Sequence, residues 1–188
     1  MYINAFASPS TTTIRDYITV DLSNADYPDS APGETPIHAQ VLRNRSDVEA
    51  VCHNHAPYAV LVSSLGVEMR PVHPNGAIQA DSVTVFDDYH TKGGMLIKTE
   101  SEGQAVADAL GKDSVVMLRG HGAVVVGESI EQVVVKSLKL EYNSRLLYQQ
   151  SLVGEPWYPP TELVESNVDD MLSEGQIVKT LDYYFSEL

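Results

Sequence analysis

Two histidines separated by a single residue provide the clearest chemical signal in this chain. His53 and His55 follow an apolar run that ends at Cys52. If that run forms a β-strand, its side chains alternate between the two faces of the sheet, so residues two apart point to the same side. Both imidazoles can therefore bind one metal ion.

A third histidine, His121, lies between Gly120 and Gly122. Glycines allow the backbone to come close to a ligand and leave the imidazole uncrowded. Three imidazole ligands leave one coordination position open, which is typical of catalytic zinc sites. A His-X-His pair alone is often incidental, but the third histidine favours a divalent metal on His53, His55 and His121. We predict Zn2+, with Mn2+ as the alternative, at about one equivalent per chain.

Glu34 is the candidate carboxylate for acid/base chemistry. It directly precedes a helix start at Thr35 and Pro36. A glutamate in that position is more often only a favourable partner of the helix dipole, so the residues alone leave both interpretations open. If Glu34 is catalytic, burial beside the metal could raise its pKa toward neutrality. We expect His38 and His90 at the surface or behind the site.

The elements that must position these residues alternate between strands and helices. Length and a 43% hydrophobic content fit one domain, residues 1–188, with a core that needs no disulfide. The expected fold class is α/β, or α+β in layers, with a sheet covered by helices. The predicted strands are residues 17–22, 48–55, 115–118 and 123–126. Two predicted helices begin after Thr35 and after Ala56, and a third begins at a capping box formed by Ser101 and Gln104. A fourth predicted helix runs from Ile130 to Val153.

Composition excludes several classes of partner. A net charge of −14, with 12 basic against 26 acidic residues, argues against nucleic-acid binding, which needs clustered Lys and Arg. No apolar run reaches the roughly 18 residues that cross a bilayer, and the first residues lack the features of a secretory signal. The single Cys52 excludes an intrachain disulfide and fits a reducing compartment. We expect a cytoplasmic protein that binds a small molecule or another subunit.

Several short motifs occur in a fixed order along the chain. That order resembles the class II aldolase/adducin family over about residues 17–160. The motifs are Glu34, His38, Arg43-Asn44-Arg45-Ser46-Asp47-Val48, His53-Asn54-His55, Leu118-Arg119-Gly120-His121-Gly122, Gly127 and Glu141-Tyr142-Asn143-Ser144-Arg145. The spaced combination is far more specific than any single motif.

This resemblance implies a mixed β-sheet flanked by helices, a metal (usually zinc) on the three histidines, and Glu34 as the acid/base. It also implies a homo-oligomer, commonly a C4 tetramer with active sites at subunit interfaces. Residues 69–73 and 86–87 look like the branch of decarboxylases for aromatic-pathway carboxylates, where the equivalent of His73 lines the site. We further predict that Tyr58 and Arg119 bind the substrate.

The function implied is a metal-dependent carbon–carbon lyase, either a decarboxylase or a retro-aldolase, that acts through a metal-stabilised enolate. The family's N-terminal helices and phosphate-holding loops would precede Tyr17, where only a short unmatched segment remains. We therefore expect a small non-phosphorylated carboxylate or hydroxy-carbonyl substrate. The alternatives are an epimerase or isomerase with the same enolate chemistry, and a non-catalytic adducin-like module without the metal ligands. Residues 157–188 are expected to form an apolar-rich helical tail that favours oligomerisation.

Overall fold

The computed structural model describes residues 1–5, 11–79, 82–89 and 94–186. Its elements in these ranges alternate as the sequence predicts. The strands are β1 (Tyr2–Asn4), β2 (Tyr17–Thr19), β3 (Ala50–Asn54), β4 (Thr84–Phe86), β5 (Val115–Leu118) and β6 (Gly122–Gly127), and the helices are α1 (Thr35–Asn44), α2 (Pro57–Ser63), α3 (Glu100–Leu110), α4 (Ile130–Val153), α5 (Thr161–Met171) and α6 (Glu174–Ser186).

The main sheet is mixed, with strand order β3-β6-β5-β4. Its β3–β6 and β5–β6 pairs are antiparallel, whereas β4 and β5 are parallel. β1 and β2 form a separate antiparallel pair. The mixed sheet flanked by helices agrees with the expected fold class.

Each face of the main sheet packs against its own pair of helices. On β5, Val115 and Met117 join the core formed with α2 and α4, while Val116 and Leu118 join the core formed with α1 and α3. Both faces are covered, so β5 and β6 are buried throughout and appear in the sequence as unbroken apolar runs. Side-chain alternation therefore decides on which face of the sheet each residue of β3 lies.

His53 lies on the α1/α3 face of the sheet. It pairs with Val124, which belongs to the core on that side, whereas its neighbour Cys52 pairs with Val125 on the α2/α4 side. Cys52 is packed against the core formed with α2 and α4, which fits a structural thiol. The metal candidates thus share a layer with the start of α1.

Two helix starts differ from the prediction by one or two residues. The N-cap of α1 is Glu34, and Thr35 is the first helical residue, because its hydroxyl donates to the carbonyl of Pro32 (2.6 Å) instead of capping the helix. The capping box of α3 is formed by Thr99 and Glu102, not by the pair at Ser101. The predicted strand at residues 17–22 is shorter, since only Tyr17–Thr19 pair with β1.

The C-terminal part is helical, as expected, and consists of α5 and α6. It leaves large apolar side chains in solvent, among them Trp157 (65% exposed), Leu163 (58%) and Phe185 (66%). None of the helices in the described ranges is long and apolar enough to span a membrane.

Candidate metal centre

The three predicted histidine ligands converge at one end of the main sheet. His53 is in β3, His55 follows it, and His121 occupies the connection between β5 and β6. Their ring centroids are 5.0–5.1 Å apart. One ligand atom from each, together with one carboxylate oxygen of Glu34, lies within 4.8 Å of all the others. Four residues, of which the first and the last are 87 positions apart in the chain, can thus bind one ion.

The β5–β6 connection is shaped by two glycines. Gly120 has φ +66° in a turn closed by the bond from the His121 amide to the Leu118 carbonyl (2.9 Å), a conformation that favours glycine. At Gly122, a Cβ atom would lie 2.5 Å from the Asn54 carbonyl oxygen and 2.8 Å from Cδ2 of His55. Only glycine at position 122 allows β6 to pass this close to the histidine strand.

The histidine nitrogens have the hydrogen-bonding state that a metal site requires. His53 Nδ1 lies 3.0 Å from the Ala123 carbonyl oxygen and donates to it, so Nε2 is the ring nitrogen available to a metal ion. His53 Nε2 and both ring nitrogens of His121 are buried without a hydrogen-bond partner in the described part of the chain. Buried unpaired nitrogens are costly, and coordination to a cation would satisfy one nitrogen of each ring. The residues present therefore fit a divalent metal.

Glu34 faces the same point from the α1 side. Its Oε2 is 3.4 Å from His53 Nε2 and 3.5 Å from His121 Nε2, and its Oε1 accepts a bond from the Ile97 amide (2.9 Å). Ligand atoms bound to one tetrahedral zinc lie about 3.4 Å apart. Glu34 is therefore close enough either to bind the metal or to exchange a proton with a substrate on it.

The ionisation of Glu34 differs from the expectation of a raised pKa. Burial raises the pKa of this carboxyl, but the imidazoles of His121 and His53 and the Ile97 amide outweigh burial and bring the pKa below its ordinary value. The carboxylate is charged at neutral pH and can act first as a base.

His38 is partly buried and lies behind the metal centre. It is on α1, and burial followed by the charge of His53 lowers its pKa to about 4, although the backbone of Val51 favours the protonated form. A neutral imidazole avoids a second positive charge beside the ligands. The sequence left open whether His38 lies at the surface or behind the site, and the structure places it behind the site. His90 lies outside the described residues.

Residues of α4 hold the segments that carry the ligands, a role that the sequence did not reveal. The Glu141 carboxylate accepts bonds from the amides of Tyr58 and Ala59 (3.0–3.1 Å) and so caps α2, which begins two residues after His55. The Asn54 amide donates to the Ser137 hydroxyl (3.1 Å). Ser137 and Glu141 are four residues apart and therefore lie on one face of α4, which was the available signal in the sequence.

The three predicted substrate-binding residues occupy different environments. Arg119 is two residues before His121 and donates to the Ser63 carbonyl (3.0 Å) and to Asp87 (3.1 Å), with 40% of its side chain exposed. Tyr58 packs against Tyr148 on the α2/α4 side. His73 makes an edge contact with Tyr142, 5.7 Å between ring centroids.

The β5–β6 turn carries Arg119 together with His121. The described contacts of His73 and Tyr58 are with other residues of α4 and its surroundings. Their roles in substrate binding stay predictions.

Comparison with known proteins identifies relatives of this site. The family model "Class II Aldolase and Adducin N-terminal domain" matches residues 1–148, so the segment before Tyr17, which we expected to be unmatched, belongs to the match. A 3,4-dihydroxyphthalate decarboxylase from Arthrobacter keyseri is 32% identical over 130 residues, 66% of this chain and 50% of the relative. A 5-deoxy-D-ribulose 1-phosphate aldolase from Bacillus thuringiensis is 27% identical over 143 residues, 76% of this chain and 64% of the relative.

A solved structure has the same fold. L-fuculose-1-phosphate aldolase from Thermus thermophilus superposes with a TM-score of 0.68 and 25% identity, and the match covers 80% of this chain and 78% of that one. The chain spans about half the length of the dihydroxyphthalate decarboxylases that it matches.

Proposed function

Because the chain belongs to the class II aldolase and adducin family, we propose that it is a metal-dependent lyase that breaks a carbon–carbon bond in a small oxygenated substrate. The observation that carries this proposal is the convergence of Glu34, His53, His55 and His121 within 4.8 Å. A module that served only protein contacts would not need such a cluster, so the adducin-like alternative lacks support from the site.

The three histidines would hold the divalent metal, with zinc as the proposed ion. Once bound, the cation supplies positive charge beside the substrate's carbonyl or hydroxyl oxygen, which stabilises an enolate when the bond breaks. His53 contributes a fixed tautomer through its bond to Ala123. His55 is exposed, so the centre is open to solvent and substrate on its side.

Glu34 is the proposed acid/base. Its Oε1 is fixed by the Ile97 amide, while Oε2 faces the histidines. The ionised carboxylate takes a proton from a substrate hydroxyl, and the C–C bond then breaks to release carbon dioxide or an aldehyde. Glu34 returns that proton to the carbon that the departing group leaves behind, which restores the carboxylate.

The substrate class proposed is a small non-phosphorylated hydroxy-carboxylate. Support comes from the decarboxylase relatives, three of which are named for 3,4-dihydroxyphthalate. The relative named for 5-deoxy-D-ribulose 1-phosphate gives the contrasting substrate. The zinc-loaded protein should release carbon dioxide from 3,4-dihydroxyphthalate. If it cleaved only 5-deoxy-D-ribulose 1-phosphate, the protein would be an aldolase and the decarboxylase proposal would be wrong.

Two variants test the roles at the centre. We expect His121→Ala to lose both metal and activity, because it removes one of three imidazoles. Glu34→Gln should keep the metal and lose turnover by at least about a hundredfold, the usual scale for a general acid/base. The matched control is Glu49→Gln, an exposed glutamate outside the site.

Metal content measured alongside turnover separates the possible results. If Glu34→Gln lost the metal as His121→Ala does, Glu34 would be a ligand and not the acid/base. If it turned over like the unaltered protein, Glu34 would have neither role.

We also propose a homo-oligomer, with a tetramer as the expected form. The exposed apolar side chains of the C-terminal helices support this proposal, because contiguous apolar surface usually marks an interface. A second copy of the chain would cover Trp157, Leu163 and Phe185.

A further inference from the structure

A cavity lies between α4 and α6, beside the turn at Asn75, and has a volume of about 330 Å³. It shares no residue with the set formed by Glu34 and the three histidines. The proposed lyase chemistry makes no use of this cavity. Its volume is at the lower end of the roughly 300–1,000 Å³ of small-molecule sites, which fits a ligand with one ring.

The charge of this cavity is opposite to that of the whole chain. Among the described residues, its lining contains Lys139 and Lys179 and no acidic residue, although the chain has 26 acidic and only 12 basic residues. A negatively charged protein repels anions at long range, so a locally positive cavity is a selective place for an anion to bind.

Lys139 is the main reason to expect an anion. Its residue is only 8% exposed, and its Nζ makes one long bond to the Asn75 carbonyl, 3.4 Å. Burial lowers the pKa of Lys139, and no carboxylate in the described part of the chain counteracts it. Buried Lys136 differs, because its Nζ donates to the Val126 carbonyl (2.9 Å) and to the Ser114 hydroxyl (3.1 Å).

Three tyrosines supply the aromatic surface of the cavity. Tyr142, Tyr183 and Tyr184 line the cavity, and the last two pack edge to face with their centroids 5.3 Å apart. Aromatic rings favour flat, apolar ligands through offset or edge contacts. The lining has no arginine, the residue suited to bidentate recognition of phosphate. The chemistry thus favours a carboxylate attached to a ring over a phosphate ester.

We propose that this cavity is a separate binding site for a small aromatic carboxylate. The carboxylate pairs with the ammonium groups of Lys139 and Lys179, and the ring packs among the tyrosines. The site adds a ligand-binding function to the chain that does not depend on the metal centre.

The test is calorimetric titration of the zinc-loaded protein with benzoate. Benzamide has the same shape without the charge, and acetate has the charge without the ring. We expect benzoate to bind at one site per chain, and both comparison compounds to bind at least about tenfold more weakly, because each lacks one half of the recognition. Benzamide that bound as tightly as benzoate would overturn the proposal.

Variants locate the binding. Lys139→Met removes the buried charge and keeps the length of the side chain, and it should weaken benzoate binding at least about tenfold, the scale of one charge-assisted hydrogen bond. Lys112→Met, at an exposed lysine elsewhere, is the matched control and should bind normally. Lys179→Met, at an exposed position on α6, gives a second test if the first variant does not fold, and should also weaken binding.

The His121→Ala protein separates this proposal from the proposed lyase function. Benzoate binding should persist in it with unchanged affinity, because the cavity contains none of the metal ligands. If binding disappeared with His121, benzoate would be a ligand of the metal centre and the cavity proposal would be wrong. Equal affinity of the Lys139→Met and unaltered proteins would refute it as well.

Discussion

Replacing Gly122 with alanine tests whether close approach of two strands creates the metal centre. The added Cβ would lie 2.5 Å from the Asn54 carbonyl oxygen, 2.8 Å from His55 Cδ2 and 3.0 Å from His53 Cε1. A normal carbon–oxygen contact is about 3.3 Å. The strand that carries the histidines must therefore move by roughly 0.8 Å relative to β6.

That movement has no easy route. Asn54 pairs with Ala123 and His53 with Val124 in the β3–β6 ladder, and the Asn54 side chain is also bonded to Ser137. Overpacking of this kind costs about 1–3 kcal/mol. For a chain of this length each kcal/mol lowers Tm by about 2–4 °C, so Tm should fall by about 2–12 °C.

The larger effect is expected on the metal and on turnover. Metal–ligand distances tolerate only about 0.2 Å, so displaced imidazoles should bind zinc at least about tenfold more weakly. Misplacement near 1 Å can reduce turnover by about a hundredfold. Zinc content after dialysis, thermal unfolding and turnover measure the three effects.

Gly154→Ala is the matched control, because a Cβ there meets no atom within 4 Å and the backbone is extended, with φ 166°. It should behave like the unaltered protein in all three assays. A Gly122→Ala protein that retained full zinc and full turnover would show that the strand spacing does not create the site.

Three further predictions follow from the structure. At a free zinc concentration of a hundred times Kd, zinc binding contributes about 2.7 kcal/mol to the free energy of unfolding. Removing the zinc with a chelator should therefore lower Tm by about 5–11 °C. An unchanged Tm would mean that the folded chain holds no zinc. His38 has a folded pKa of about 4 against an ordinary value of 6.5, so its contribution to stability is complete above pH 6.5 and is lost as pH falls toward 4. The loss amounts to up to about 3 kcal/mol, and His38→Gln should remove this part of the pH dependence of unfolding, which denaturant titrations would measure. Light scattering at micromolar concentration should give the mass of an oligomer, expected to be a tetramer, and the mass of one chain would refute the assembly.

The sequence was sufficient for most of the local elements, with β1 and β4 as exceptions, and for the three histidines that converge in the structure. Strong apolar runs separated by turn residues predicted β5 and β6, and periodic apolar residues predicted α4 with the bounds that the structure has. The alternation of side chains along a strand already placed His53 and His55 on one side. These inferences needed only contacts between residues that are close in sequence.

Long-range pairing decided the remaining features. Whether Glu34 was an acid/base candidate or only a helix cap depended on the loop before α3, where the Ile97 amide fixes its carboxylate, and no local pattern reveals that contact. The direction of its pKa also depended on tertiary structure, because the two imidazoles outweigh the burial that the sequence led us to expect.

The positively charged cavity shows the same limit for a different reason. Lys139 is one of several charged residues on α4, and its sequence gives no sign that α6 will cover it. Burial of a charged side chain is a property of how helices pack together, since the cost of desolvation arises only when another element excludes water. The sequence alone determined which residues could do chemistry, and tertiary packing decided which of them meet and in what state of charge.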